Sequence, residues 1–145
     1  SKAISEKFPD IRALISVNKA LVTQSSAAIP IVPLYISILY KVMKEQGVHE
    51  GCIEQMYRLL HDKVFGDPAA TDEEGRIRMD DLEMKPEIQK RVSEIWERIN
   101  SEALNTDADI DGYWEDFYRL CGFRVPGVYS EADVSCTVPV PSIEE

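Results

Sequence analysis

Apolar positions in this sequence fall into helical stripes, apart from one dense stretch near the start. Ala13 to Val22, ALISVNKALV, places aliphatic and β-branched residues on both parities. That is the pattern of a strand covered on both faces, although a helix of this length accommodates it nearly as well. Polar Thr23, Gln24, Ser25 and Ser26 predict a turn. Pro33 suits the first turn of a helix running to about Glu45 and stopped by Gly47. Leu34, Tyr35, Ile38, Leu39, Val42 and Met43 cover a broad face of it, which predicts deep burial. A second helix is predicted from Glu50 to Phe65, with Ile53, Met56, Tyr57, Leu60 and Val64 on one stripe. A third begins at Pro86 and carries Ile88, Val92, Ile95, Trp96 and Ile99. A fourth, from about Asp111 to Cys121, packs Trp114, Phe117, Tyr118 and Cys121 and ends at Gly122. Between the second and third lies a polar loop, Gly66 to Asp81, whose RIRM suits a short strand or an extended arm. From Ser135 the tail reads SCTVPVPSIEE, with the prolines, small polar residues and terminal acids of a flexible segment.

Two parts of this pattern limit the architecture. Ala27 to Tyr40 is apolar except for Ser37, but it is shorter than the roughly 20 residues a bilayer span requires and contains Pro30 and Pro33. It therefore reads as buried in protein, without membrane insertion. A single convincing strand cannot satisfy its own backbone hydrogen bonds, so its sheet is expected to be completed by residues beyond this chain. The opening SKAISEKFPDI has no initiator Met, charged leader or apolar signal core, and the sequence is expected to begin inside a longer protein.

Composition narrows the chemistry mainly by exclusion. A formal net charge of −10 lacks the clustered Lys and Arg of a nucleic-acid footprint. Cys52, Cys121 and Cys136 are odd in number and widely spaced, which favours a reducing cytoplasm over a disulfide framework. His49, Cys52, Glu54 and His61 lack the second histidine of H-E-x-x-H, and no metal site is expected. No G-x-G-x-x-G occurs. The acids Asp72, Glu73, Glu74, Asp80, Asp81 and Glu83 read as a solvated loop without the spacing of a calcium loop. Tyr113, Trp114, Phe117 and Tyr118 alternate with acids, as a helix does when one face is core and the other solvent.

Long blocks carry a family resemblance. From Arg12 the sequence reads RALISVNKALVTQSSAAIP, then PLYISILYKVMKEQGVHEGCIEQMYRL, and after the acidic middle GYWEDFYRLCGFRVPGV followed by EADV. These blocks resemble the NADH-dependent trans-2-enoyl-CoA reductases and enoyl-acyl-carrier-protein reductases, short-chain dehydrogenase-like enzymes with a Tyr-x8-Lys catalytic pair. The resemblance implies an α/β fold: the C-terminal portion of a Rossmann-type domain, mostly helical with about one core strand. Residues 1–134 would then form part of one reductase domain, with 135–145 as a tail. It further implies NADH as cofactor, reduction of the C2–C3 double bond of enoyl-CoA or enoyl-ACP in fatty acid biosynthesis, and a monomer at full length.

In such enzymes a tyrosine hydroxyl polarises the thioester carbonyl while a lysine holds the cofactor ribose. The x8 spacing occurs here at Tyr35 and Lys44, and Tyr40 with Lys44 has the shorter x3 spacing of common short-chain dehydrogenases. On one helix, Tyr35 and Lys44 stand roughly 180° apart and cannot converge on one carbonyl. Tyr40 and Lys44 share a face but are an ordinary i, i+4 pair. The resemblance puts the catalytic pair upstream of Ser1, leaving no catalytic residue in this chain. It implies instead that Leu21, Val22 and Thr23 meet the nicotinamide end of the cofactor, although Thr23 equally suits capping the strand-to-loop turn. Ala28, Ile29, Leu34, Tyr35 and Ile38 would face the acyl chain from a substrate-binding helix. A reading of another class is a free-standing acidic α-helical module that binds a partner through the Ile29 to Tyr40 surface.

Overall fold

A proline and a glycine set the limits of the longest helix. The computed structural model describes residues 2–66, 71–127, 129, 131 and 133. Its elements are α1 (Lys2–Lys7), β1 (Ile15–Val17), α2 (Gln24–Ala28), α3 (Val32–Glu45), α4 (Cys52–Arg58), β2 (Arg76–Arg78), α5 (Pro86–Arg98), α6 (Leu104–Asp107) and α7 (Ile110–Leu120), with one π-helical stretch, Leu59–Val64, continuing α4. Pro33 occupies the first turn of α3, where its missing N–H leaves no bond unmade. Ile31 before it is held at φ 72°, a left-handed conformation that is costly for a β-branched residue. At the other end Gly47, at φ 66°, lets the chain turn back. Its N–H then reaches the Lys44 carbonyl at 3.0 Å, and that of Val48 reaches Met43 at 2.9 Å.

α3 is the centre of the fold because it is apolar nearly all round. Ile38, Leu39, Val42 and Met43 pack with Ile88, Val92 and Ile95 of α5. On another side Ile36 and Tyr40 meet Val22 and Tyr113 of α7. Every residue from Ile36 to Tyr40 is at most 1% exposed. The free-standing module reading is corrected on this point: much of the proposed Ile29 to Tyr40 docking surface is core.

The strand is shorter than the apolar run that predicted it. Only Ile15–Val17 pairs, in parallel with β2, placing Ile15 opposite Arg76 and Val17 opposite Arg78. RIRM thus takes the strand alternative, and part of the partner expected from outside the chain comes from within it. Past Val17, whose carbonyl still accepts the Met79 N–H at 2.8 Å, a side chain takes over the backbone: the Ala20 N–H goes to the Glu83 carboxylate at 2.7 Å.

Three helical predictions need correction in their faces. α4 starts at Cys52, and Ile53, Tyr57 and Leu60 of its expected core stripe are 73%, 65% and 46% exposed. It is turned that way by its polar face, where buried Gln55 and the Arg58 guanidinium bond Glu50, the Met79 carbonyl and Asp81. In α7 the inward residues are Ile110, Tyr113 and Phe117, one helical face, while Trp114 and Tyr118 lie largely outside and Cys121 is exposed. In α5, Ile88, Val92 and Ile95 are buried, but Trp96 turns outward and meets the Tyr35 ring edge-on at 6.3 Å. The expected tail, 135–145, lies outside the described residues. No described helix is long and apolar enough to cross a membrane.

Candidate functional site

The loop from Ala20 to Thr23 is fixed by side chains that converge on it from distant segments. The buried Tyr40 hydroxyl accepts the Val22 N–H at 3.3 Å. Glu83 accepts that of Ala20, and the Lys19 ammonium donates to the Ala20 carbonyl at 3.3 Å. Thr23 caps α2 in a reciprocal box: Ser26 N–H donates to the Thr23 hydroxyl at 3.0 Å, and Thr23 N–H donates to the Ser26 hydroxyl at 2.8 Å. The turn predicted here is therefore a short capped helix. Among the described residues, the Leu21 amide and carbonyl and the Val22 carbonyl have no hydrogen-bond partner. The half-buried Leu21 thus leaves one donor and one acceptor open beside the Thr23 hydroxyl, groups complementary to those of a planar carboxamide.

The residues expected to face an acyl chain divide into two groups. Ala28 and Ile29 lie on the surface, Ile29 being 52% exposed. Leu34 lines an apolar cavity of about 280 Å³ with Pro33, Leu104, Ile110, Tyr113 and Trp114. Tyr35 is half-buried and donates its hydroxyl to Glu83 at 2.7 Å; burial, reinforced by that carboxylate, pushes its pKa up to about 12. Ile38 sits in the core between α3 and α5.

Neither Tyr–Lys spacing forms a catalytic pair here. Tyr35 is engaged by Glu83, Tyr40 by Val22, and Lys44 by Asp109 at 2.5 Å. Burial holds the Tyr40 hydroxyl well above the usual phenol range.

Sequence reasoning overlooked a buried polar cluster behind the loop. Lys19, 3% exposed, lies 4.7 Å from the Tyr40 ring centroid, and its pKa is lowered to about 8 by burial. His49 meets the same ring edge-on at 4.4 Å and is pushed down to about 4 by burial, then by the Lys19 charge. Its Nε2 stands 4.0 Å from Asp116, whose carboxyl burial pushes up. His49 and Asp116 border a cavity of about 290 Å³ that Cys52 and Glu54 also line, yet among the described residues no three His, Cys, Asp or Glu are disposed to hold a metal. The solvated acidic loop is also corrected in part, since Asp80 and Glu83 are each 7% exposed. The alternation of charged Arg76, Arg78 and Asp80 with apolar Ile77 and Met79 was the available signal for Asp80, which pairs with Arg78. Glu83 had none.

Residues 1–65 match the family model described as the trans-2-enoyl-CoA reductase catalytic region, and residues 71–134 match the model for an enoyl reductase FAD binding domain. The chain is 55% identical over 133 residues to an NADH enoyl-acyl-carrier-protein reductase of Coxiella burnetii, spanning 91% of this chain and 33% of that protein. It is 48% identical over 132 residues to the trans-2-enoyl-CoA reductase of Ruminiclostridium cellulolyticum, covering 91% of this chain and 33% of that protein. The crystal structure of Clostridium acetobutulicum trans-2-enoyl-CoA reductase in complex with NADH superposes with a TM-score of 0.81 at 44% identity, over 92% of this chain and 35% of the other. The chain thus matches an enoyl reductase model in each half. It spans about a third of the length of these relatives, and its two-stranded parallel sheet with packed helices is a partial α/β fold.

The enoyl reductase models also raise the question of a flavin. The described part of 71–134 does not fit one. Both longer helices of that segment begin with carboxylates, Glu87 in α5 and Asp109 and Asp111 in α7, where a pyrophosphate would need open amides. Pro86 removes one such amide from α5, and Asp109 occupies that of Gly112 at 3.0 Å.

Proposed function

We propose that the protein containing this chain is an NADH-dependent reductase of the C2–C3 double bond of trans-2-enoyl thioesters, carried on coenzyme A or acyl carrier protein, in fatty acid biosynthesis. The observation that carries this reading is the 44% identity and TM-score of 0.81, over 92% of this chain, to a trans-2-enoyl-CoA reductase in complex with NADH. When bound, the dinucleotide supplies a hydride to the β-carbon. Leu21 and Val22 would hold its carboxamide through their free backbone groups, with the Thr23 hydroxyl beside them. Ala28, Ile29 and Leu34 would line the acyl path, with Tyr35 at its base and Ile38 supporting the helix from the core. Such apolar walls exclude water from the developing enolate.

The catalytic tyrosine and lysine belong outside these residues in this reading, because every Tyr and Lys with suitable spacing already has another partner. Residues 1–134 would be part of a single Rossmann-type domain. The outward apolar stripe of α4 supports that, since Ile53, Met56, Tyr57 and Leu60 form a patch of the kind that packs on further protein. We also assign the enzyme to the cytoplasm, as a monomer; Cys52 and Cys121 are free thiols, as a reducing compartment maintains.

The test is NADH oxidation by the full-length protein with crotonyl-CoA and, separately, crotonyl-ACP. Thioester-dependent consumption of NADH is expected, and the better carrier identifies the substrate class. No consumption with either carrier would overturn the proposal.

A further inference from the structure

Among the described residues, Glu83 bonds both Ala20 and Tyr35, which bracket most of the segment to which cofactor and acyl contacts are assigned. It follows β2, far from that segment in sequence, and is 7% exposed. One carboxylate oxygen accepts the Ala20 N–H at 2.7 Å and the other accepts the Tyr35 hydroxyl at 2.7 Å. Its own carbonyl is held by the Gln89 side chain at 2.9 Å, so the residue is anchored to α5. Lys19, also buried, lies within Coulombic reach of the carboxylate and holds the Ala20 carbonyl at 3.3 Å. Ala20 is thus fixed at both backbone groups. Leu21 to Leu34, the residues between the two gripped positions, contain the whole proposed nicotinamide contact and most of the acyl wall.

We infer that Glu83 is a positioning residue of the proposed reductase, a two-handed clasp that holds the cofactor loop and the start of the substrate helix in fixed relation. The inference rests on the functional reading for its consequence in catalysis, but the clasp itself is a property of the folded chain. A charged acceptor with two short bonds holds its donors more firmly than a neutral one. Its loss leaves two donors without partners, one of them a backbone amide. Glutamine can keep both contacts, its carbonyl accepting from Ala20 and its amide donating to the Tyr35 oxygen. Alanine reaches neither, and aspartate is too short to span both.

The experiment compares Glu83→Ala, Glu83→Gln and Tyr35→Phe in the full-length protein by hydrogen–deuterium exchange without cofactor, and by steady-state kinetics. Glu83→Ala is expected to speed exchange across Leu21 to Leu34 by about tenfold or more, with Glu83→Gln within about twofold of the parent. Tyr35→Phe, which keeps the ring and loses one hand of the clasp, should quicken the same segment by a smaller factor. In the kinetics Glu83→Ala should raise KM for both NADH and crotonyl-CoA. A merely structural defect would lower the active fraction, and hence kcat, with both KM values unchanged. Unchanged exchange in Glu83→Ala, or equal loss in the Gln and Ala variants, would overturn the clasp. If Glu83→Ala does not fold, Tyr35→Phe decides, and unchanged exchange there overturns it. Should the parent protein fail to reduce crotonyl thioesters, the functional reading falls, while the exchange measurement still decides the role of Glu83.

Discussion

The Tyr40 hydroxyl accepts the backbone N–H of Val22 at 3.3 Å, joining the centre of α3 to the middle of the proposed cofactor loop. Both residues are at most 1% exposed, so water cannot replace the bond. Tyr40→Phe therefore leaves a buried amide without an acceptor, at a cost of roughly 1–3 kcal/mol. The urea midpoint of the full-length enzyme should fall accordingly, and KM for NADH should rise as the loop loosens. A midpoint and KM both equal to the parent would show that the loop does not depend on this bond.

Thr23 combines a structural and a proposed binding role, and substitution separates them. Thr23→Val removes the hydroxyl that caps α2, costing ~1 kcal/mol. It should also raise KM for NADH while leaving the circular dichroism spectrum unchanged. Thr23→Ser restores the hydroxyl and should recover both properties. Unaltered cofactor kinetics in the valine variant would refute the cofactor contact and leave the cap alone.

Arg58 ties α4 to the segment after β2 by bonding Glu50 through two nitrogens and Asp81 through two. Glu50 is 8% exposed, so Arg58→Met strands a buried carboxylate. The expected loss is about 3 kcal/mol, the lower end for breaking a buried pair, because part of the guanidinium remains in water. Adding Glu50→Gln to Arg58→Met should return a good part of that stability. A double variant no more stable than the single one would locate the damage elsewhere.

His49 gives the fold a dependence on acid. Burial and the nearby Lys19 and Lys44 charges lower its pKa from 6.5 to about 4, against the opposing pull of Glu54 and Asp109. Between those values the unfolded chain binds a proton that the folded chain refuses, so stability falls as the pH drops from about 6.5 to about 4. Asp116, whose carboxyl is raised by burial, has the opposite sign: it retains a proton on folding and destabilises as the pH rises above its ordinary range. The difference between the parent and His49→Gln isolates the histidine. Thermal midpoints measured from pH 4 to pH 7 should have a shallower slope in the variant, and parallel slopes would exclude His49 as the source.

The helices were legible in the sequence because a period of 3.6 residues is a local property. Val92 and Ile95, spaced along α5, and Pro33 and Gly47, bounding α3, specify a helix whatever surrounds them. The likeness to enoyl reductases was legible too, since long blocks such as LVTQSSAAIP carry it directly. Which side of a helix is buried depends on its neighbours. Ile53 and Tyr57 have the periodicity of a core stripe, but in the described structure Gln55 and Arg58 face inward because Glu50 and Asp81 are there to receive them. The strand run Ala13 to Val22 was cut to three residues for a similar reason: Glu83, distant in sequence, supplies an acceptor that local pattern cannot anticipate. Sequence alone thus determined the helical segments, their punctuation and the likeness to enoyl reductases. Only the tertiary structure decided that a glutamate in an acidic loop, a lysine and a tyrosine meet at Ala20 to Val22, because burial, hydrogen bonding and charge compensation act between residues that folding brings together.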